Sequence, residues 1–445
     1  MAPVRTLLVT GTPGAGRTTV AAATAAAAAA SVARGGGHVL LLTGDREAAE
    51  ALLRATADPE PPDGPGDPRA DGRAAPRAAR VGSGRSAPAA PRAHPPGDPT
   101  ALAAARAVSG VEGLHLAVID PAASFRNGVL DLQGRVGSLL GLLGAAPLDP
   151  EELTPLPGAD ALALLRALRR EEVTGDASPW DLVVVDLPPV REAIALLALP
   201  EQLRRYLRRL LPADRQAARA LRPVLAQLAG VPMPAEWAYE AAARADRELA
   251  SVQAVVDDPD TAVMVVLEPG APAERGLRAA RTGLGLYGHR LAAVTVNRLL
   301  PTTGTDPFLT GLSGRQQEHL KALAEQCAAD GVPLLELPHL GREPRHPAEL
   351  AVPVPAAARR DAEPWSVDER LAEEGHFLWT LPLPGADRDT LDLVRRGDEL
   401  VVDAGGFRRI VPLPSALRRC TVAGAALRDG SLRVRFTPDP DLWPR

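Results

Sequence analysis

The chain has 445 residues with a formal net charge of −5, 46% hydrophobic and 24% charged residues, enough for a large core and more than one domain. That balance argues against a general nucleic-acid binder, which carries a basic face, so no nucleic-acid partner is expected. Cys327 and Cys420 are the only cysteines and form no C-x-x-C pair, so neither a disulfide framework nor a cysteine zinc site is expected, and a reducing cytoplasm is the simplest compartment.

Only 3% of residues are aromatic, so leucine, valine and alanine must build the core, and Lys321 is the only lysine in a chain whose basic charge is otherwise arginine. In chain order, Val4–Thr10 is short, apolar and β-branched, which reads as a buried strand. It runs into Gly11-Thr12-Pro13-Gly14-Ala15-Gly16-Arg17-Thr18-Thr19, and then into an alanine-rich run from Val20 to Ala33 with no proline inside it, a strong helix former. Strand, glycine loop and helix form the context of a phosphate-binding loop. The glycines let backbone N–H groups turn inward on the anion, and the positive end of the helix dipole faces it.

The spacing fits G-x-x-x-x-G-K-[S/T] with Arg17 at the lysine position, and Thr18 keeps the hydroxyl that would hold Mg²⁺. Arginine retains the charge as a broad planar fork, so the change is not conservative at such a site. Arg17 also fits a chain-wide preference for arginine. Two readings stay open: a nucleotide site with slow hydrolysis, or a glycine turn that has lost its ligand. The alanine run is too short and too weakly apolar to span a bilayer, and no other stretch approaches a membrane span.

His38–Asp45 reads as the second strand, ending on a carboxylate. From Asp58 to about Pro99 the composition turns to Pro, Ala, Gly, Arg and Asp without hydrophobic period, which predicts a disordered insertion (58–99). Leu114–Pro121 is a further strand ending in Asp120, and a helical pattern runs through Leu162, Leu164, Leu165 and Leu168. Asp181–Asp186 is the clearest central strand, its unbroken apolar run suiting a parallel strand covered on both faces. Asp186 stands at the carboxyl end, where a Walker-B aspartate reaches the Mg²⁺ shell, although a strand-ending Asp is also a common cap.

Pro200 to about Ala250 reads as helical, with Leu203, Tyr206, Leu207, Leu210 and Leu211 on one stripe that favours core packing over a groove for a partner. Strands are predicted at Ala262–Leu267, Leu291–Val296 and Val332–Pro338, with a helix near Ala273–Tyr287. The alternation makes 1–343 a doubly wound α/β domain with a mostly parallel sheet of P-loop type. A Pro- and Ala-rich linker is expected over 344–375. A small all-β sandwich is expected over 376–437, with strands at Phe377–Leu383, Glu399–Asp403, Phe407–Leu413, Cys420–Leu427 and Ser431–Phe436 and hairpin signals at Gly405-Gly406 and Asp429-Gly430.

Several stretches, in this order, resemble the ArsA family of anion-pump ATPases and tail-anchored-protein targeting factors. Asp186-Leu187-Pro188-Pro189 with Leu196-Leu197-Ala198-Leu199-Pro200 is similar to the family's D-T-A-P-T-G-H…L-R-L-L-x-L-P segment, and Leu116–Pro121 to its I-D-P strand. Val294-Thr295-Val296-Asn297-Arg298 is similar to its V-V-N-R. Leu383-Pro384-Gly385, Gly397-Asp398-Glu399-Leu400 and Phe407-Arg408-Arg409 resemble the α-crystallin-like domain attached to many bacterial members. The resemblance implies a cytoplasmic homodimer that binds ATP and Mg²⁺ at its interface and couples hydrolysis to a membrane-protein partner (an anion pump) or a hydrophobic client. By the same resemblance Asn297 contacts adenine and Asp45 positions the attacking water.

The departures from that pattern bear on chemistry. The family loop reads G-K-G-G-V-G-K-T-T, with the first lysine reaching across the dimer, whereas this chain has Thr12 there and Arg17 at the second. The first switch keeps only Asp45, and the second, T-G-H-T in the family, is Val190-Arg191-Glu192-Ala193. Phosphoryl transfer depends on positive charge at the equatorial oxygens and an oriented water, so weak or absent hydrolysis is expected. Met1, Met233 and Met264 are the only methionines, which argues against an adaptable client groove, and the metal-binding cysteines of arsenite pumps have no counterpart. The competing readings are a non-hydrolysing scaffold and, prompted by Pro13, a small-molecule P-loop kinase.

Overall fold

A computed structural model describes residues 5–48, 51, 105–142, 147–169, 178–211, 236–355 and 364–442. The expected insertion over 58–99 lies outside them, as does 212–235 of the expected helical region. The described strands β1 (Thr6–Gly11), β2 (Val39–Thr43), β3 (Arg106–Ala107), β4 (Leu114–Val118), β5 (Leu182–Asp186), β6 (Thr261–Leu267), β7 (Leu291–Leu299) and β8 (Leu334–Pro338) form one eight-stranded sheet in the order β3-β4-β2-β5-β1-β6-β7-β8. All pairings are parallel except the short β3 against β4. The chain winds from β1 outward to β2 and β4, returns to β5, then crosses to the other side of β1. That reversal puts the carboxyl ends of β1 and β5 side by side, with Val9 in register with Asp186, at the place where open α/β sheets bind ligands.

Every residue of β1, β2 and β6 is buried, because helices cover both faces and alternate residues serve opposite cores. Leu7 and Val9 of β1 pack with helix α1 (Arg17–Val32), whose row of buried alanines allows close approach. Leu8 faces the other side with α2 (Pro121–Leu142), α3 (Ala159–Leu168), α4 (Val190–Leu210), α5 (Glu236–Val256), α6 (Ala271–Tyr287) and α7 (Pro307–Ala329) nearby, and there Val185, Ile194, Leu277 and Leu323 share one core.

The carboxyl-terminal strands make two antiparallel sheets. One has the order β14-β15-β10-β9, from β9 (Ser366–Arg370), β10 (His376–Pro382), β14 (Cys420–Arg428) and β15 (Ser431–Pro438). The other has the order β11-β12-β13, from β11 (Leu391–Arg396), β12 (Glu399–Ala404) and β13 (Phe407–Pro412). Trp379, Val434 and Phe436 from one sheet and Val402 and Val411 from the other are fully enclosed and belong to the same core as Ile194 and Leu284 of the α/β domain.

Three expectations are corrected. Described parts of the stretch expected as a linker belong to the folded bodies: Leu350 and Val352 pack in the core beneath α1, and Ser366–Arg370 is a paired strand. The helix expected from Pro200 onward begins at Val190 and carries Pro200 inside it. Its stripe is not core: Tyr206 is 50% and Leu210 79% exposed, while Val190, Ala193, Ile194, Leu196 and Leu197 make the buried face.

Candidate functional site

The glycine loop connects β1 to α1 and bends through left-handed backbone at Gly14 (φ 79°) and Gly16 (φ 82°), which glycine adopts without strain. Gly16 has a second constraint: a Cβ there would lie 2.6 Å from Asn297 Nδ2. Gly11 is fixed by crowding instead, since a Cβ would meet the Val266 carbonyl oxygen of β6 at 2.0 Å. Pro13 and Gly14 are exposed, and Ala15 is buried.

At the carboxyl end of the loop, the Thr18 hydroxyl donates to Asp186 Oδ2 at 2.7 Å. Thr43, the last residue of β2, donates to the same oxygen at 3.0 Å and in turn accepts from the Asp45 N–H at 3.0 Å. The other oxygen, Asp186 Oδ1, is buried and has no partner among the described residues. Burial pushes the Asp186 carboxyl above the ordinary carboxylate range, against the opposing pull of the two hydroxyls and the Arg17 charge. Buried carboxylate oxygens are normally satisfied, so the orphaned oxygen beside a threonine hydroxyl is the observation that tests the expected ion. Two hard oxygen donors, one in the first turn of α1 and one at the end of β5, fit Mg²⁺, which takes one or two protein oxygens and completes its shell with water and phosphate.

These groups share one hollow. A cleft of about 690 Å³ is lined by Arg17, Thr18, Asp45 and Asp186 on one side and by apolar residues of α3 and α4, among them Leu164 and Leu196, on the other. Among the described residues Arg17 is the only cation in that lining, beside the acidic side chains of Asp45, Asp160, Asp186 and Glu192, a balance that favours a polyanion entering together with a divalent ion. The Arg17 guanidinium donates to the Leu187 carbonyl at the end of β5 and is thereby held against the strand. Asp45 Oδ1 accepts the Ala48 N–H at 2.9 Å.

Gly16 and Thr19 border a smaller hollow of about 140 Å³ with Asn297, Arg298, Leu340 and Leu350, so the first turn of α1 divides the two spaces. Asn297 is buried, with Nδ2 donating to Ala15 O and Oδ1 accepting from the Arg298 N–H, both at 2.9 Å. Thr12, at the position of the family's cross-dimer lysine, is 8% exposed. It faces α6, where a Cβ on Gly276 would lie 2.5 Å from its methyl. Arg191, in the second-switch segment, is held by the β module: it donates to Gly405 O at 3.1 Å and lies 5.4 Å from the centre of the Phe407 ring.

Sequence reasoning missed Thr43, whose signal is a hydroxyl at the last position of a strand, and gave Arg298 no role. Among the described residues no cluster of three or more His, Cys, Asp and Glu forms a metal cage, and Cys327 and Cys420 are both buried. No described helix is long and apolar enough to cross a membrane.

Comparison with known proteins extends these observations. Residues 98–346 match the profile of the Anion-transporting ATPase family, and 374–436 match the HSP20-like domain found in ArsA. An uncharacterized protein of Streptomyces coelicolor is 50% identical over 445 residues, covering 99% of this chain and 100% of the relative. A Mycobacterium tuberculosis protein is 34% identical over 324 residues, 66% of this chain and 72% of its own. A protein of Aquifex aeolicus named as an arsenical pump-driving ATPase is 24% identical over 279 residues, 60% of this chain and 69% of its own. With an α/β sheet of P-loop type, a loop and carboxylate meeting at its carboxyl edge and a matching β module, the chain belongs to the ArsA family of anion-transporting ATPases, the group to which ATP binding and Mg²⁺ dependence are general.

Proposed function

We propose that this chain binds ATP with Mg²⁺ in the cleft above β1 and β5 and acts as a slowly hydrolysing nucleotide switch in the cytoplasm. The carrying observation is the Thr18–Asp186 hydrogen bond of 2.7 Å beside the orphaned Asp186 Oδ1, inside a hollow shared with Arg17 and Asp45. In this reading the backbone of Gly11, Thr12, Pro13, Gly14, Ala15, Gly16 and Arg17 cradles the phosphates, and Thr18 and Asp186 hold Mg²⁺. Thr19 and Asn297 border the base, and Asp45 orients a water. The bound ion supplies charge neutralisation at the phosphates. Arg17 is held by one guanidinium N–H on the Leu187 carbonyl and is a broader group than the compact ammonium the family uses between the terminal phosphates, which supports slow rather than ordinary turnover.

A homodimer serving an anion pump or a hydrophobic client fits the relatives named for arsenical pumps. A second reading, a scaffold without chemistry, is favoured by Thr12, which is buried on α6 and leaves no group to reach a facing copy. Phosphate release by purified protein, alongside a thermal shift with ATP and Mg²⁺, separates them. A shift of several degrees with turnover far below one per second supports the switch. A shift without any release supports the scaffold, and the absence of both removes the nucleotide reading.

A further inference from the structure

For the loop's N–H groups to face an anion, its carbonyl oxygens have to point away. Two of those carbonyls are gripped by consecutive residues at the end of β7. Asn297 Nδ2 donates to Ala15 O at 2.9 Å, and Arg298 Nη1 donates to Gly14 O at 2.9 Å. Arg298 reaches the loop from unusual backbone, φ 60°, one of two positive values at non-glycine residues among those described, in a region arginine rarely adopts.

That backbone is tied on both sides. The Arg298 N–H donates to Asn297 Oδ1, and its carbonyl accepts from Gln316 Nε2 at 3.3 Å, while Gln316 Oε1 accepts the Leu300 N–H at 2.9 Å. The guanidinium is steadied by Glu268 and Glu343, each at 3.3 Å. Backbone held in a sparsely populated region by so many contacts marks a position with a task.

We propose that Arg298 is a positioning residue that clamps the Gly14 carbonyl outward and so presets the glycine loop for a phosphate group; this rests on the nucleotide reading above. Pro13 and Gly14 are exposed, so without the clamp this part of the loop has to be ordered on binding, which weakens affinity. Arg298 also borders the small hollow beside Gly16 and Thr19, so a group settling there meets the clamp directly.

The test uses Arg298→Gly in the full chain, because glycine takes φ 60° freely and the whole clamping side chain is removed without straining the backbone. Hydrogen exchange over 11–19 in nucleotide-free protein rises about ten-fold, with no change over β14 and β15, and Mg·ATP affinity falls about ten-fold. Arg298→Lys recovers part of both, since an ammonium can reach the carbonyl but not fork to both carboxylates. If wild type binds no ATP yet loop exchange still rises in the variant, the clamp stands and the nucleotide reading falls. If wild type binds ATP and the variant's loop exchange is unchanged, the clamp is overturned while the nucleotide reading survives.

Discussion

At its carboxyl end the glycine loop presents Arg17 and Thr18 to a half-buried carboxylate and a second hydroxyl, all bordering or backing one cleft. At its amino end Thr12 is buried against Gly276. The first end keeps what a metal–phosphate complex needs: hard oxygen ligands, a cation and left-handed glycines. The second lacks the charge through which, by family resemblance, one copy acts on another. In the proposed reading binding and catalysis come apart within nine residues, and the two ends can be perturbed separately.

The largest effect is expected from Asp186→Asn. Groups one shell removed from a metal already contribute ten- to a hundred-fold to affinity, so losing the direct carboxylate lowers Mg·ATP affinity by about 100-fold. Calorimetric titration measures it, and an unchanged affinity would mean that the carboxyl end holds no metal. Next is Thr12→Lys, which restores the family's residue into a space closed by Gly276. It destabilises by about 2 kcal/mol in denaturant unfolding and does not raise turnover alone.

Arg17→Lys is smaller and opposite in sign. A compact ammonium in place of the fork bonded to Leu187 raises phosphate release by about ten-fold, and a faster Thr12→Lys single variant would reverse the assignment of the two ends. Glu399→Gln weakens the fork from Arg205 on α4, with contacts at 3.1 and 2.6 Å. Because both side chains are partly solvated, the loss is about 1 kcal/mol, read as a lower melting temperature.

The smallest effect is the pH dependence of Asp186. Its folded-state pKa is raised by burial, so the folded protein holds its proton more tightly than the unfolded chain. The associated stability is present below the unfolded pKa and lost as pH rises through the folded one. Nucleotide-free wild type therefore gains in melting temperature relative to Asp186→Asn as the pH is lowered from neutral toward the ordinary carboxylate pKa of about 4. If wild type gains nothing over Asp186→Asn as the pH falls, the carboxyl is not desolvated and the assignment fails.

Much of this was legible in the residues, for local reasons. The loop and α1 declare themselves because glycine spacing and an alanine run act within a few positions, and Asp186 because a buried parallel strand is an unbroken apolar run. What stayed hidden depends on distant partners. Leu350 and Val352 sit in Pro- and Ala-rich sequence and become core only through α1. Tyr206 and Leu210 share with Leu203 a stripe that favoured core packing, yet both stand exposed near the end of α4. Thr43 meets Asp186 across 143 residues and Arg298 meets Gly14 across 284, separations over which no periodicity operates.

The most direct test titrates ATP into the protein by calorimetry with Mg²⁺ and with EDTA, for wild type beside Asp186→Asn. Saturable binding by wild type that weakens by about 100-fold both without Mg²⁺ and in the variant is the predicted result. Absence of heat in wild type, or binding indifferent to the ion and to Asp186, would contradict it.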